Sequence, residues 1–165
     1  MPASSNAPDL TLVDSGQRAE TSGPVQARDR RVILAVNDSH EILELFRDIL
    51  EEENYDVRLY SFAFQDLDEV KAVRPDLIIL DFMIGGEDHG WQLLQKLKLD
   101  RETLAIPVIV CTAALKLVRE LDAHLRAKNV GVIVKPFDID DLIRQVAATW
   151  EPVRLSAEDP ANETK

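Results

Sequence analysis

The sequence predicts an α/β fold with a doubly wound, five-stranded parallel sheet covered by helices on both faces. Residues 77–80, Leu-Ile-Ile-Leu, form a short apolar run without polar alternation. Such a run is typical of a strand that is buried on both faces. Strand-like and helix-like patterns alternate five times between about residues 31 and 150. This alternation predicts a parallel sheet with right-handed crossover connections.

The first strand and the first helix are predicted from residues 31–53. The apolar run of residues 32–36 stops at Asn37 and Asp38. Ser39 or Asp38 can cap a helix over about residues 40–53. An apolar stripe at helical spacing marks its buried side: Ile42, Leu43, Leu45, Phe46, Ile49 and Leu50. Asn54 tolerates the left-handed conformation that ends many helices.

The remaining elements are predicted in the same way. Further strands are expected over about residues 55–61, 77–80, 108–111 and 132–134, the first of them at a sheet edge. Further helices are expected over about residues 64–73, 91–99 and 116–128, and a last one, capped by Asp138 or Asp140, ends near residue 150. Gly85, Gly86 and Gly90 predict a loop after the third strand.

The chain has 165 residues and a formal net charge of -11. This length predicts one domain, at residues 30–151, between two tails, 1–29 and 152–165, whose composition predicts disorder. The acidic balance does not suit direct binding of nucleic acid or of an anionic membrane surface. No run approaches the roughly 20 apolar residues of a membrane span, and the N-terminus lacks a secretory signal pattern. We therefore expect a cytoplasmic protein.

Cys111 is the only cysteine of the chain. An intrachain disulfide and a cysteine-based metal cluster are therefore excluded. Cys111 lies in the apolar run Val-Ile-Val-Cys, where a small buried hydrophobic residue is expected rather than a nucleophile.

Polar side chains end four of the five predicted strands: Asn37 and Asp38, Asp81, Thr112, and Lys135. Because the carboxyl ends of parallel strands meet at one edge of the sheet, these side chains are expected to converge there. Asp81 alone would be as consistent with a helix cap or a loop residue as with a functional group. The recurrence of polar residues after apolar runs favours a shared site.

The chemistry that this set suggests is phosphoryl transfer to a carboxylate. Asp38 and Asp81 supply the acidic oxygens that Mg²⁺ prefers, and the cation would neutralise charge on an incoming phosphoryl group. Asp81 is the expected nucleophile, because an aspartyl phosphate is a known covalent form. Lys135 would offer a positive charge, and Thr112 a hydroxyl, to the phosphoryl oxygens. The chain has no P-loop and no GxGxxG motif, so no nucleotide site is predicted.

With these residues, the sequence closely resembles the response-regulator receiver domains of two-component signalling. The resemblance covers about residues 31–150. It rests on four features in order: Asn37-Asp38, the run Arg-Pro-Asp-Leu-Ile-Ile-Leu-Asp that ends at Asp81 with Met83 two residues on, Thr112-Ala113, and Lys135-Pro136-Phe137. It implies a flavodoxin-like sheet of strand order 2-1-3-4-5 and a cis bond between Lys135 and Pro136.

The resemblance also implies a function. Asp81 would take a phosphoryl group from a phosphohistidine on a sensor histidine kinase or a phosphotransfer protein, and Thr112 and Lys135 would contact that group. Mg²⁺ would be bound by Asp38, Asp81, the backbone carbonyl of Met83 and, through water, Asn37. Only a short tail follows residue 150, so a stand-alone switch is expected rather than an enzyme. It would act on a downstream protein partner through about residues 116–150, and homodimerisation stays open.

Three features depart from the usual pattern of the family. Asn37 replaces an acid, so it keeps an oxygen acceptor, loses a charge and should weaken Mg²⁺ binding without abolishing it. Val132 stands where the family often has an aromatic residue that changes rotamer together with the threonine. The loop after Asp81 is one residue longer than usual, and Gly85 and Gly86 suggest mobility there.

Two other functions stay open. The first is a phosphorylation-independent interaction module that keeps the receiver fold as a scaffold, which Asn37 and Val132 favour. The second is a small hydrolase with Asp81 as nucleophile, similar to haloacid-dehalogenase-like phosphatases. That signature carries a second aspartate where this chain has Met83.

Overall fold

The computed structural model describes residues 29–61 and 67–151, with only the backbone described at residue 117. The elements are β1 (Val32–Val36), α1 (His40–Glu52), β2 (Asp56–Tyr60), α2 (Leu67–Val73), β3 (Leu77–Asp81), α3 (His89–Leu99), β4 (Val108–Thr112), α4 (Leu115–Ala127), β5 (Val130–Val134) and α5 (Ile139–Trp150). The predicted tails, apart from Asp29, and residues 64–66 of the predicted second helix lie outside the described residues. None of the described helices combines the length and the apolar character that crossing a membrane requires.

The five strands form one parallel sheet in the order β2-β1-β3-β4-β5, which confirms the predicted fold class. β1, β3 and β4 are buried along their whole length, as their apolar runs predicted. β2 and β5 are the edge strands. Asp81 is in register with Cys111, and Thr112 with Val134. The carboxyl ends of β3, β4 and β5 therefore lie at the same edge of the sheet.

Alternate residues of the strands face opposite sides of the sheet and build two hydrophobic cores. On one side the strands pack with Phe46 of α1 and Leu142 of α5. On the other side they pack with Leu94 of α3 and Leu125 of α4. Because aliphatic side chains fill both faces, polar groups of the central strands are confined to the ends of those strands.

The helix α1 confirms most of its predicted features. Ser39 is the N-cap residue, and its hydroxyl accepts a hydrogen bond from the backbone N–H of Ile42 at 3.4 Å. Asn54 ends the helical segment with a positive φ of 68°. The predicted apolar stripe is wrong at Leu45, which is 40% exposed and lies at the margin of the buried face.

Most described boundaries lie within one residue of the prediction, and two differ from it by two residues. α3 begins at His89 instead of residue 91, because Gly90 continues the helix toward its N-cap residue Asp88. β5 begins at Val130 instead of residue 132. The reason is that Asn129 makes the left-handed turn after α4 by itself, with a φ of 56°.

Cys111 is buried in β4, as predicted. Burial raises the pKa of its thiol to about 12. The negative charge of Asp81 also raises this pKa, whereas the positive charge of Lys135 lowers it. The thiolate, which is the nucleophilic form, is therefore suppressed at neutral pH.

The connection between α3 and β4 is held by Lys98. Its ammonium group donates hydrogen bonds to the carbonyl oxygens of Leu104 and Ile106, at 3.2 and 2.7 Å. Burial, together with the positive charge of Lys128, lowers the pKa of Lys98 to about 8.

This lowered pKa predicts a pH-dependent stability. The charged form of Lys98 destabilises the folded chain fully below about pH 8, and the cost disappears as the pH rises toward the ordinary value of 10.5. Relative to Lys98→Met, the free energy of unfolding of the wild type should rise across this range by about 1 kcal/mol, since solvent screens the half-exposed ammonium. Urea unfolding at several pH values measures the difference. A difference that stays constant with pH would contradict the assignment.

Candidate functional site

Asp81 is the last residue of β3 and is only 7% exposed. Its Oδ2 accepts hydrogen bonds from Nζ of Lys135 at 2.6 Å and from Nδ2 of Asn37 at 3.2 Å. Its Oδ1 accepts a hydrogen bond from the backbone N–H of Met83 at 3.1 Å. Three donors on two oxygens hold the carboxylate in one orientation.

Lys135 follows directly on β5. Its backbone N–H donates to the carbonyl oxygen of Thr112 at 2.9 Å, which continues the pairing of β4 and β5 by one residue. The bond from Lys135 to Pro136 is cis, as the resemblance implied. β4 lies between β3 and β5, so the Lys135 side chain crosses the end of β4 to reach Asp81.

Asn37 follows β1, is 1% exposed and uses both ends of its amide group. Its Oδ1 accepts a hydrogen bond from the backbone N–H of Ser39 at 2.8 Å. Its Nδ2 donates to Asp81. A neutral donor thus faces Asp81 at a position where an acid would place a like charge.

Asp38 is exposed and joins two loops. Its Oδ2 accepts a hydrogen bond from the backbone N–H of Gly85 at 2.8 Å. Gly85 and Gly86 have φ values of 67° and 77°, a conformation that glycine adopts without a steric penalty. Ile84 and Glu87 close the turn with reciprocal backbone hydrogen bonds of 3.0 and 3.2 Å. The two glycines therefore shape the turn that contacts Asp38.

Thr112 is the last residue of β4 and is 1% exposed. Its Oγ1 accepts a hydrogen bond from the backbone N–H of Ala114 at 3.1 Å. Within the described part of the chain, neither Thr112 nor Asp38 has a direct hydrogen bond to Asp81. The structure thus brings three predicted residues into contact with Asp81: Asn37, Lys135 and Met83. Two other predicted residues, Asp38 and Thr112, lie at the same edge.

Gly90, which the sequence predicted only as part of a loop, is a site residue. It lies in the first turn of α3, and its N–H donates to the carbonyl oxygen of Phe82 at 3.1 Å. A Cβ at this position would lie 1.8 Å from the carbonyl oxygen of Asp81. Only glycine lets α3 approach the end of β3 so closely. The sequence shows the glycine but not the backbone that it touches.

The oxygens at this edge suit a hard cation. Carboxylates and a backbone carbonyl, as on Asp38, Asp81 and Met83, are the ligand types that Mg²⁺ prefers, and Mg²⁺ keeps several waters. Among residues 29–61 and 67–151, no cluster of three or more His, Cys, Asp and Glu side chains could hold a metal ion. The donor set fits Mg²⁺ with two carboxylates, and water would complete the coordination.

A family model for the response regulator receiver domain matches residues 33–147. The chain belongs to the response regulator receiver family. Receiver domains are phosphoryl-accepting signalling switches of two-component systems. This membership gives no support to the haloacid-dehalogenase-like hydrolase.

Among relatives of this receiver domain is sporulation initiation phosphotransferase F of Bacillus subtilis. The two are 35% identical over 125 residues, which cover 74% of this chain and 94% of that protein. The chain also matches the DNA-binding response regulator MtrA of Mycolicibacterium paratuberculosis, and it spans about half the length of that relative.

Solved receiver structures share the fold. The chemotaxis response regulator CheY4 of Vibrio cholerae has a TM-score of 0.63 at 21% identity, covering 73% of this chain and 98% of that one. The receiver domain of the sensor histidine kinase PA1611 of Pseudomonas aeruginosa has a TM-score of 0.61 at 25% identity, covering 72% and 96%. That structure has a magnesium ion coordinated in its active-site cleft.

Proposed function

We propose that this receiver domain accepts a phosphoryl group on Asp81, with Mg²⁺ as cofactor, from the phosphohistidine of a sensor histidine kinase or a phosphotransfer protein. The observation that carries the proposal is the buried Asp81 carboxylate with Nζ of Lys135 at 2.6 Å. A fixed carboxylate beside a positive charge is a suitable acceptor for an anionic group. The domain would act as a switch and not as an enzyme that turns over a substrate.

In the proposed transfer, a carboxylate oxygen of Asp81 attacks phosphorus. The bond between phosphorus and the donor imidazole nitrogen breaks, and its electron pair stays with the imidazole. The ammonium of Lys135, already at the carboxylate, would follow the charge to a phosphoryl oxygen. The hydroxyl of Thr112 would donate to a second oxygen, which its position at the end of β4 supports.

A bound Mg²⁺ would neutralise negative charge on the phosphoryl oxygens. The residues that would hold it are Asp38, Asp81, the Met83 carbonyl and, through water, Asn37. The oxygen donors at this edge and the magnesium ion in the PA1611 receiver domain support this assignment.

Exposed apolar side chains at this edge support docking of a protein donor. Met83 follows β3 and is 43% exposed, Leu115 begins α4 and is 51% exposed, and Ile139 begins α5 and is 50% exposed. Apolar residues around a polar centre are typical of protein interfaces. The downstream partner would bind through about residues 116–150, which include α4, β5 and α5.

The direct test is phosphorylation by acetyl phosphate, with Mg²⁺ and with EDTA in its place. Intact-mass measurement should show one added phosphoryl group only with Mg²⁺, and peptide mapping should assign it to the peptide that contains Asp81. The absence of labelling under conditions that label an established receiver domain would refute the proposal.

Replacement of Asn37 by aspartate should strengthen Mg²⁺ binding about tenfold, because a third carboxylate would join Asp38 and Asp81 near the cation. Without Mg²⁺ the same change should destabilise the fold by about 1–3 kcal/mol, since two buried carboxylates would meet without a hydrogen-bond donor between them. Thermal unfolding during a Mg²⁺ titration measures both effects. Asn54→Asp, an exposed position remote from Asp81, is the charge-matched control. Equal Mg²⁺ midpoints for Asn37→Asp and the wild type would contradict the role of Asn37.

A phosphorylation-independent interaction module is the second candidate. It is favoured by Val132, a side chain without a ring that packs against the core, and by Asn37, which satisfies Asp81 without a metal ion. This candidate predicts that partner binding does not depend on the chemistry of Asp81.

A further inference from the structure

Three rings in contact connect the end of β3 to α4. Phe82 directly follows Asp81 and is 0% exposed. Its ring meets Trp91 of α3 edge-on, with centroids 5.6 Å apart and an interplanar angle of 88°. Trp91 in turn contacts His124 of α4, with centroids 6.4 Å apart and an angle of 50°. A continuous path of packed side chains therefore leaves the acceptor residue and ends on α4.

The first step of this path is rigid. Gly90 packs against the backbone of Asp81, where even a Cβ would lie only 1.8 Å from the carbonyl oxygen. The N–H of Gly90 donates to the carbonyl oxygen of Phe82. Trp91 is the next residue of the same helical turn. A shift in the backbone after Asp81 must therefore move Trp91, because close-packed groups transmit displacement.

The helix on which the path ends, α4, is loosely held. Ala114 is the N-cap residue of α4 and provides no side-chain cap. Leu115 is 51% exposed, and Leu125 is the one fully buried side chain among those described in α4. The N–H of Ala114 donates to Oγ1 of Thr112. In the proposed function that hydroxyl turns to the phosphoryl group, which would weaken its contact with Ala114. A helix with few buried contacts responds to such small changes.

β5 offers no ring that could carry the signal instead. Its five residues are Val-Gly-Val-Ile-Val. Valine has few rotamers and no aromatic plane that could swing between two sites. The hydrogen bond from Ala114 to Thr112 reaches only the start of α4, so coupling between Asp81 and the part of α4 around His124 needs another route.

We infer that Trp91 is a positioning residue that transmits the loading of Asp81 to α4 through its contact with His124. This inference rests on the proposed function, since it assumes that Asp81 accepts a phosphoryl group or its mimic. The readout surface is α4. The route runs across the helices of one sheet face and does not use a rotating side chain in β5.

Hydrogen exchange of α4, measured by mass spectrometry with and without beryllofluoride and Mg²⁺, tests the inference. In the wild type, loading should change the exchange rate of residues 121–127, which surround His124, about fivefold. The change should disappear in His124→Ala and in Trp91→Leu. It should return in His124→Phe, which restores a ring against Trp91. His124 is exposed, so its substitutions leave the core intact.

Trp150→Leu is the matched control. Trp150 lies at the end of α5, where its Nε1 donates to the hydroxyl of Tyr55 at 3.1 Å and its ring contacts Arg31. This variant loses a tryptophan outside the path and should keep the wild-type response of α4.

Loading itself is measured separately, by acetyl phosphate labelling of each variant. A His124→Ala protein that is labelled normally and keeps the wild-type exchange response would overturn the inference and leave the proposed function intact. An unlabelled wild type would overturn the proposed function, and the inference with it.

Discussion

Asp81→Asn is expected to lose all labelling by acetyl phosphate, down to the level of a sample without protein. Asparagine keeps the shape of aspartate and can still accept a hydrogen bond from Lys135, but its neutral amide is not a nucleophile for phosphoryl transfer. The fold should persist, at a cost of about 1–2 kcal/mol, because the partly exposed Lys135 charge loses its partner. Intact mass and urea unfolding measure the two quantities.

Asp138→Asn is the matched control for that experiment. Asp138 is the N-cap residue of α5 and makes no side-chain cap hydrogen bond, so its replacement should disturb the helix little. The variant removes a carboxylate that does not belong to the Asp81 cluster. It should be labelled like the wild type. Labelling that survives in Asp81→Asn would point to another acceptor, with Asp38 the first to examine.

The Asp81→Asn variant also separates the two candidate functions. A phosphoryl switch requires that Asp81→Asn lose the response of its downstream partner to a sensor kinase. A phosphorylation-independent module requires that binding and output stay as they are in the wild type. The receiver fold is common to both, so only the dependence on Asp81 distinguishes them.

Gly90→Ala is expected to destabilise the protein by about 3 kcal/mol or more, because the new methyl group must displace backbone rather than a flexible side chain. The added Cβ would lie 1.8 Å from the Asp81 carbonyl oxygen and 2.8 Å from that of Phe82. α3 would have to move away from β3, and the Met83 N–H that holds Asp81 lies in the connection between them. Labelling by acetyl phosphate should therefore fall as well. Urea unfolding gives the stability change.

Gly131→Ala makes the same chemical change at a place with room for it. A Cβ there would meet nothing closer than 3.5 Å, in the form of Gln145 and Ile109 side-chain atoms. Its effect should stay below about 1 kcal/mol. If Gly90→Ala is no more destabilising than Gly131→Ala, the close contact between α3 and Asp81 does not constrain the site.

The sheet was predictable because its signal is local. Apolar runs such as residues 77–80 alternate with amphipathic segments. A strand that is buried on both faces consists almost entirely of apolar residues. The boundaries of helices and strands were harder to predict where the conformation of one residue decides them. Val130 belongs to β5 because Asn129 completes the turn alone. Leu45 fits the helical stripe by spacing and is still 40% exposed, since the width of the buried face depends on what packs against it.

The candidate site was predictable as a set of residue types but not as a set of contacts. Asn37, Asp38, Asp81, Thr112 and Lys135 each end an apolar run, and parallel strands bring such ends to one edge. That Asn37 turns its amide nitrogen toward Asp81, and that Asp38 contacts Gly85 instead, are outcomes of loop geometry. Hydrogen-bond partners 44 to 54 residues apart leave no periodic signal in the chain.

By itself, the sequence determined the α/β class, the polar strand ends and the family resemblance, because periodicity and residue type are properties of short segments. Only the tertiary structure decided that Lys135 and Asn37 share one oxygen of Asp81. It alone showed that Gly90 must lack a side chain, and that Phe82, Trp91 and His124 form one path. Those features are distances between segments that are far apart in sequence, and only packing of the whole domain sets such distances.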